Sequence, residues 1–207
     1  MAPIEGAGCT PVAGVVPAAG ASERMGKPKA LLDAGGRSFV SAAVGALAGG
    51  GCDPVVVVTA PGQREVARRA EAAGALVLLN PDPGEGPITS LRLALAVLGP
   101  EVEGVALLPV DHPAVRPETV AALLEAFASG GAPLVLPTSS GRRGHPAIFG
   151  RRLFAELLDP ALQGGARAVV HRHLDEAHTV EVDDPGILAD IDTPEAWRAA
   201  FGTRREP

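Results

Sequence analysis

The sequence predicts a three-layer α/β/α fold built on a Rossmann-like, mostly parallel sheet. Three observations carry that expectation. Short β-branched runs alternate with Ala- and Leu-rich stretches over the first two thirds of the chain. The runs are apolar at successive positions, as strands buried on both faces are. The stretches between them repeat apolar residues at three- and four-residue spacing, as helices covering a sheet do. Strands separated by helices pair in parallel through right-handed crossovers.

Residues 12–18 and 55–59, the latter opening on four valines, read as the first two strands, and 75–79, 105–110 and 134–137 repeat their pattern. Helices are expected over 38–48, 63–73, 89–98 and 118–128. Pro117 with Glu118 suits a first helical turn, and Gly130-Gly131 suits a stop. From Thr138 the rhythm changes to a polar Gly/Ser/Arg loop over 138–144, further elements at 149–158 and 165–174, a strand near 179–182 and a last helix from Thr193. That stretch is too short for a second core and is expected to extend the same sheet in a mixed arrangement. One domain over residues 1–207 is therefore expected.

Composition narrows the function. At 207 residues the chain can bury roughly 70% of its extended surface, enough for a core of its own. Hydrophobic residues at 46% and charged residues at 20% exclude a disordered chain, and 26 Gly with 20 Pro fit many short elements joined by turns. With 18 Lys and Arg against 24 Asp and Glu, the net charge is −6, which argues against nucleic acid as a partner. An anionic ligand must then be met by cations placed locally. Cys9 and Cys52 stand far apart with no CxxC, so neither zinc nor a disulfide framework is signalled. No apolar run approaches 18 residues and the first twelve residues hold no basic, apolar leader, so no membrane contact and a cytoplasmic location are expected.

Chemistry is concentrated first in Pro17-Ala18-Ala19-Gly20-Ala21-Ser22-Glu23-Arg24-Met25-Gly26-Lys27-Pro28-Lys29, directly after the first strand. Small residues there let backbone N–H groups approach an anion, and Arg24 and Lys29 add charge. Neither GxxxxGK[ST] nor GxGxxG is present. An ordinary turn after a strand is the competing reading. Asp111, in Pro109-Val110-Asp111-His112-Pro113, stands at the carboxyl end of a buried strand, where a carboxylate holds Mg2+ or caps a helix. Asp190-Ile191-Asp192-Thr193-Pro194 offers two more carboxylates, of which Asp192 is equally placed to cap the last helix.

The run from Ala18 to Leu32, of the form AAGxSxRMGxxKxLL, resembles the signature of the MobA-like NTP transferase family. The chain is most similar to its molybdenum cofactor cytidylyltransferase (MocA-like) branch, over nearly its whole length. The resemblance implies a sheet of the nucleotide-diphospho-sugar transferase type, with a nucleotide-binding half at about 12–130 and an acceptor-side half at about 131–200. It implies that Pro17, Ala18, Ala19 and Gly20 wrap the nucleotide and that Arg24 and Lys29 hold its phosphates. Asn80, Gly86, Ser90 and Leu91 keep the spacing of the branch's NPxxxxGMSxSL segment, which contacts base and ribose, although Pro87 and Ile88 replace its Met and Ser. Arg143-Gly144-His145-Pro146 and Phe149 resemble the acceptor-side RGxPxxF segment, and Gly164-Gly165-Ala166-Arg167 is similar to a GDRGAR element with Gln163 and Gly164 in place of its Gly-Asp. Arg142, Arg143 and Arg167 would receive an anionic pterin phosphate, an arginine offering a planar fork of donors, with His145 beside them on the acceptor side; solvated loop arginines are the competing reading.

The activity implied is Mg2+-dependent nucleotidyl transfer, with Asp111 and Asp190 or Asp192 as metal ligands and Lys29, Arg24 and Asp111 as the catalytic groups. CTP is the expected donor and molybdopterin the expected acceptor, with a molybdoenzyme as a possible client. Ala19 favours CTP, because the guanylyl branch usually carries LAGG where this chain has Pro17-Ala18-Ala19-Gly20. Two alternatives stand beside this: the same reaction on a sugar phosphate or small phospho-acid, and a non-catalytic cofactor carrier. Asp175-Glu176-Ala177-His178 spells a helicase box without its partner loop, and His171 with His173 share a face only on a strand, so neither carries weight.

Overall fold

The computed structural model describes residues 10–20 and 28–202; Cys9 and Arg24 lie outside the described residues. Among the described residues, eight strands form one sheet: β1 (Val12–Pro17), β2 (Val55–Thr59), β3 (Leu76–Leu79), β4 (Gly104–Leu107), β5 (Leu134–Ser139), β6 (Arg142–Arg143), β7 (Ala147–Gly150) and β8 (His178–Glu181). Their order is β3-β2-β1-β4-β7-β5-β6, with β8 also pairing β5. The β1–β2, β2–β3, β1–β4 and β5–β8 pairs are parallel, as alternating strands and helices require.

Side chains along β1 divide between the two faces with period two, so Val12 and Val16 join one apolar cluster while Ala13 and Val15 join the other. The first cluster is closed by α1 (Phe39–Gly49), α2 (Arg64–Ala72) and α4 (Pro117–Gly130). The second is closed by α3 (Pro87–Val97), α5 (Phe154–Leu158) and α6 (Gly165–Arg172). The expected three layers follow. Ser38 caps α1 by accepting from Ser41 N at 3.3 Å, Pro117 stands in the first turn of α4, and Gly131 ends that helix.

Four local expectations are corrected. Residues 75–79 were expected to be buried on both faces, but β3 is the sheet's edge and leaves Leu76 and Leu79 each 58% exposed. Residues 138–144 do not form a plain loop. β5 runs on to Ser139 and turns through Ser140 and Gly141, at φ 52° and 73°, into β6. The stretch 149–158 is divided: β7 lies antiparallel between β4 and β5, a 3-10 turn spans Arg151–Leu153, and only Phe154–Leu158 is helical. β4 also ends at Leu107, three residues early, because Pro109 has no N–H to continue the ladder.

The last helix, α7 (Pro194–Phe201), packs Trp197 and Phe201 against Leu32, Phe39 and Ile191. Trp197 Nε1 donates to the Asp33 carbonyl at 2.8 Å. These contacts hold the end of the described chain against the segment that follows Lys29. Elsewhere, Asp184 is 98% buried and accepts from Thr119 Oγ1 at 2.6 Å, Arg116 N at 2.9 Å and Gly186 N at 2.9 Å. It satisfies the first turn of α4 from far along the sequence.

Candidate active site

The chain leaves β1 outward to β2 and β3, then returns to place β4 on β1's other side. A crevice opens where this order reverses, beyond the carboxyl ends of β1 and β4. It is a cleft of about 400 Å³, and Pro17, Ala18, Ala19 and Gly20 form its floor. Ala18 N still bonds the Val58 carbonyl at 2.8 Å, so the floor is tied to the sheet. Lys29, on a 3-10 turn over Lys29–Leu31, enters from the side.

Asp111 lies on the turn after β4, and the backbone N of Ile191 donates to its carbonyl at 3.0 Å. That bond, with the docking of α7, brings Asp190 and Asp192 to Asp111, and one ligand oxygen from each of the three lies within 4.8 Å of the others. Lys29 Nζ is hydrogen-bonded to Asp192 Oδ1 and stands 3.7 Å from Asp111 Oδ2. The capping alternatives fall away. Thr193 caps α7 through its own hydroxyl, which leaves the Asp192 carboxylate to Lys29, and no helix begins at Asp111. Asp111 Oδ1 is buried and finds no hydrogen-bond partner among the described residues. Three clustered carboxylates with one such orphaned oxygen fit a hard divalent cation.

A second cleft, about 660 Å³, adjoins the first across Pro87 and Pro109, which line both. His145 and Arg167 line it, beside Arg92 and the 163–166 turn that opens α6. His145 is fixed through its backbone N, which donates to the Ile187 carbonyl at 3.0 Å. Only glycine fits before it, since a Cβ on Gly144 would stand 2.3 Å from Ile187 O. The His145 ring lies 4.7 Å, centroid to centroid, from that of buried His112. Burial, and then the neighbouring His112, push the His145 pKa down to about 4. Burial also lowers His112, so both imidazoles are neutral near pH 7.

Of the residues singled out in the sequence, Pro17 to Gly20, Lys29, Gly86, Ser90, Asp111 and Asp192 line the first cleft, and Asp190 completes the carboxylate group. His145 and Arg167 line the second. Asn80 is 98% buried, and neither it nor exposed Arg143, on β6, is among the lining of either cleft. Arg24 lies outside the described residues. The sequence marks neither His112 as buried nor Thr89 as the partner of Asn80, because a one-dimensional pattern reports neither burial nor side-chain partners.

The cleft lies at the sheet's switch point, with a Lys among three carboxylates. The MobA-like NTP transferase domain matches residues 14–178. The chain belongs to that family and is a nucleotidyltransferase. It is 31% identical over 201 residues to a Mycobacterium avium protein named probable molybdenum cofactor guanylyltransferase, covering 93% of this chain and 96% of that one. It is 30% identical over 196 residues to a Paenarthrobacter nicotinovorans protein named nicotine blue oxidoreductase, covering 89% and 93%. Among solved structures it resembles Rv0371c from Mycobacterium tuberculosis, with TM-score 0.80, 28% identity and coverage of 94% and 100%. A manganese complex of that protein aligns with TM-score 0.76, 26% identity and the same coverage. Among the described residues no helix is long and apolar enough to cross a membrane.

Proposed function

We propose that this protein transfers a nucleotidyl group from an NTP to the phosphate of a molybdopterin-type acceptor, releasing pyrophosphate, with CTP as donor and Mg2+ as the metal. The observation that carries the reading is the pair of clefts meeting at Pro87 and Pro109, one holding Lys29 and the carboxylates and the other His145 and Arg167. In this reading the backbone of Pro17 to Gly20 cradles the nucleotide beside Gly86 and Ser90. Arg167 and His145 orient the acceptor phosphate; Arg143 would have to reach in from the edge of the sheet. An acceptor oxygen attacks the α-phosphorus in line, the bond from that phosphorus to the bridging oxygen breaks, and pyrophosphate departs. Lys29, with Arg24, stabilises the charge gathering on the leaving group. Asp111, Asp190 and Asp192 would hold the Mg2+, whose chemistry is to neutralise the phosphate oxygens.

The cytidylyl assignment rests on Ala18-Ala19-Gly20 where the guanylyl branch usually carries LAGG. A guanylyl reading is favoured by the names of relatives such as the Mycobacterium avium protein. Molybdopterin as acceptor, a molybdoenzyme client and a cytoplasmic location belong to the same proposal. Pyrophosphate release is the test, with purified cofactor, Mg2+ and each of CTP, GTP, ATP and UTP in parallel. Release with CTP alone supports the full assignment, and release with GTP alone moves the donor. No release with any of the four, from protein that binds Mg2+-NTP, refutes the acceptor.

A further inference from the structure

Residues 80–90 form the wall that divides the two clefts, and one buried side chain holds it. The backbone N of Asn80 donates to the Thr59 carbonyl at 2.8 Å, which ties the wall to the end of β2. Its side-chain Nδ2 donates to Thr89 Oγ1 at 2.8 Å and to Ser90 Oγ at 3.2 Å, while its Oδ1 accepts from Asp82 N at 3.0 Å. Thr89 Oγ1 in turn donates to the Gly86 carbonyl at 2.9 Å. An amide has two N–H donors, and both are engaged here. Between these anchors Gly86 turns the chain at φ 87°. On one side Pro83, Gly86 and Ser90 face the first cleft; on the other Glu85 and Ile88 face the second; Pro87 borders both.

We propose that Asn80 and Thr89 are positioning residues for both substrates. They act through the shape of this shared wall, and Asn80 does not itself read the base. Burial and saturation of its donors leave Asn80 no free N–H to offer a nucleotide, and Thr89 closes the same network from the first turn of α3. Discrimination between bases then falls to groups that line the first cleft. The inference rests on the two-substrate reading of the clefts above.

Steady-state kinetics on Asn80→Ala, Thr89→Val, Thr89→Ser and the Asn80→Ala/Thr89→Val double variant test it, with NTP and acceptor varied in turn. The expected result is KM for both substrates raised about three- to tenfold by Thr89→Val, the scale of a lost hydrogen bond, with kcat changed less. Thr89→Ser should restore both constants, and the double variant should be no worse than Asn80→Ala alone, because the two side chains act as one unit. Base preference should be unchanged throughout. Wild-type KM values in Thr89→Val would overturn the inference, even with a lowered melting temperature. So would additive effects, or a loss in Asn80→Ala confined to the NTP and accompanied by altered base preference. If the wild-type protein transfers no nucleotide, the reading of the clefts fails separately. Calorimetric dissociation constants for Mg2+-NTP then decide: the same non-additive weakening upholds the positioning role, and unaltered binding overturns it.

Discussion

Replacing Lys29 with Met should move two measurements in opposite directions. In the structure its ammonium is bonded to Asp192 Oδ1 and stands 3.7 Å from Asp111 Oδ2, within the carboxylate group. At an effective dielectric of about 20, an ion pair at that separation is worth about 4 kcal/mol. The three side chains are between 16% and 39% exposed, so solvent screening leaves roughly 1–2 kcal/mol. A divalent ion arriving without nucleotide must displace that cation. Lys29→Met should therefore bind Mn2+ alone about tenfold more tightly, as 1.4 kcal/mol requires. Lys29→Arg, which keeps the charge, should stay near wild type. Turnover should fall by about 10² to 10³ in Lys29→Met, the scale of one lost electrostatic donor. Electron paramagnetic resonance titration of Mn2+ reads the first effect and pyrophosphate release the second. Equal or weaker Mn2+ binding in a folded Lys29→Met protein would refute the ion-pair argument, and unchanged kcat would refute the phosphate role.

Other perturbations have outcomes fixed by the same geometry. Asp184→Ala strands three donors, two of them backbone N–H groups, and should cost about 3 kcal/mol. A thermal melt should fall by about 6–12 °C, and one displaced by less than about 2 °C would contradict the role given to Asp184. Gly86→Ala forces a side chain to φ 87° and should cost about 1–3 kcal/mol, read by urea unfolding, while raising KM for both substrates. His145 has its pKa lowered to about 4 by burial, whereas the unfolded chain takes up that proton near 6.5. The unfolded state thus binds more protons below pH 6.5, and stability should decline from there to about pH 4, by roughly 3 kcal/mol at most. His145→Asn should flatten that part of the pH–stability curve; an identical slope in the variant would show that another group is responsible.

The residues of the first cleft were legible because their chemistry is local and ordered along the chain. Pro17 to Gly20 directly follow a strand, and Asp111 follows another; the parallel pairing of β1 with β4 then brings them together. Asp192 could be read as a metal ligand or a helix cap, and the hydroxyl of Thr193 in the capping position removes the second reading. Asn80 was legible as a candidate only, since a sequence does not tell whether a side chain's donors are already engaged. β7 was missed because four buried apolar residues carry no period that separates strand from helix. The exposure of Leu76 and Leu79 was missed for a different reason: an edge is a property of the assembled sheet, not of the strand. Arg143 was placed by its neighbours in a motif, while the turn through Ser140 and Gly141 sets it on a short edge strand.

Nucleotidyl transfer itself is tested most directly by following the α-phosphate. The protein is incubated with Mg2+, the molybdenum cofactor and CTP or GTP labelled at the α-phosphorus, and the pterin product is isolated. Label is expected in a pterin–nucleotide adduct, formed in step with unlabelled pyrophosphate and lost in Asp111→Asn. Label recovered only as NTP or free NMP, from protein that binds both substrates, would contradict nucleotidyl transfer.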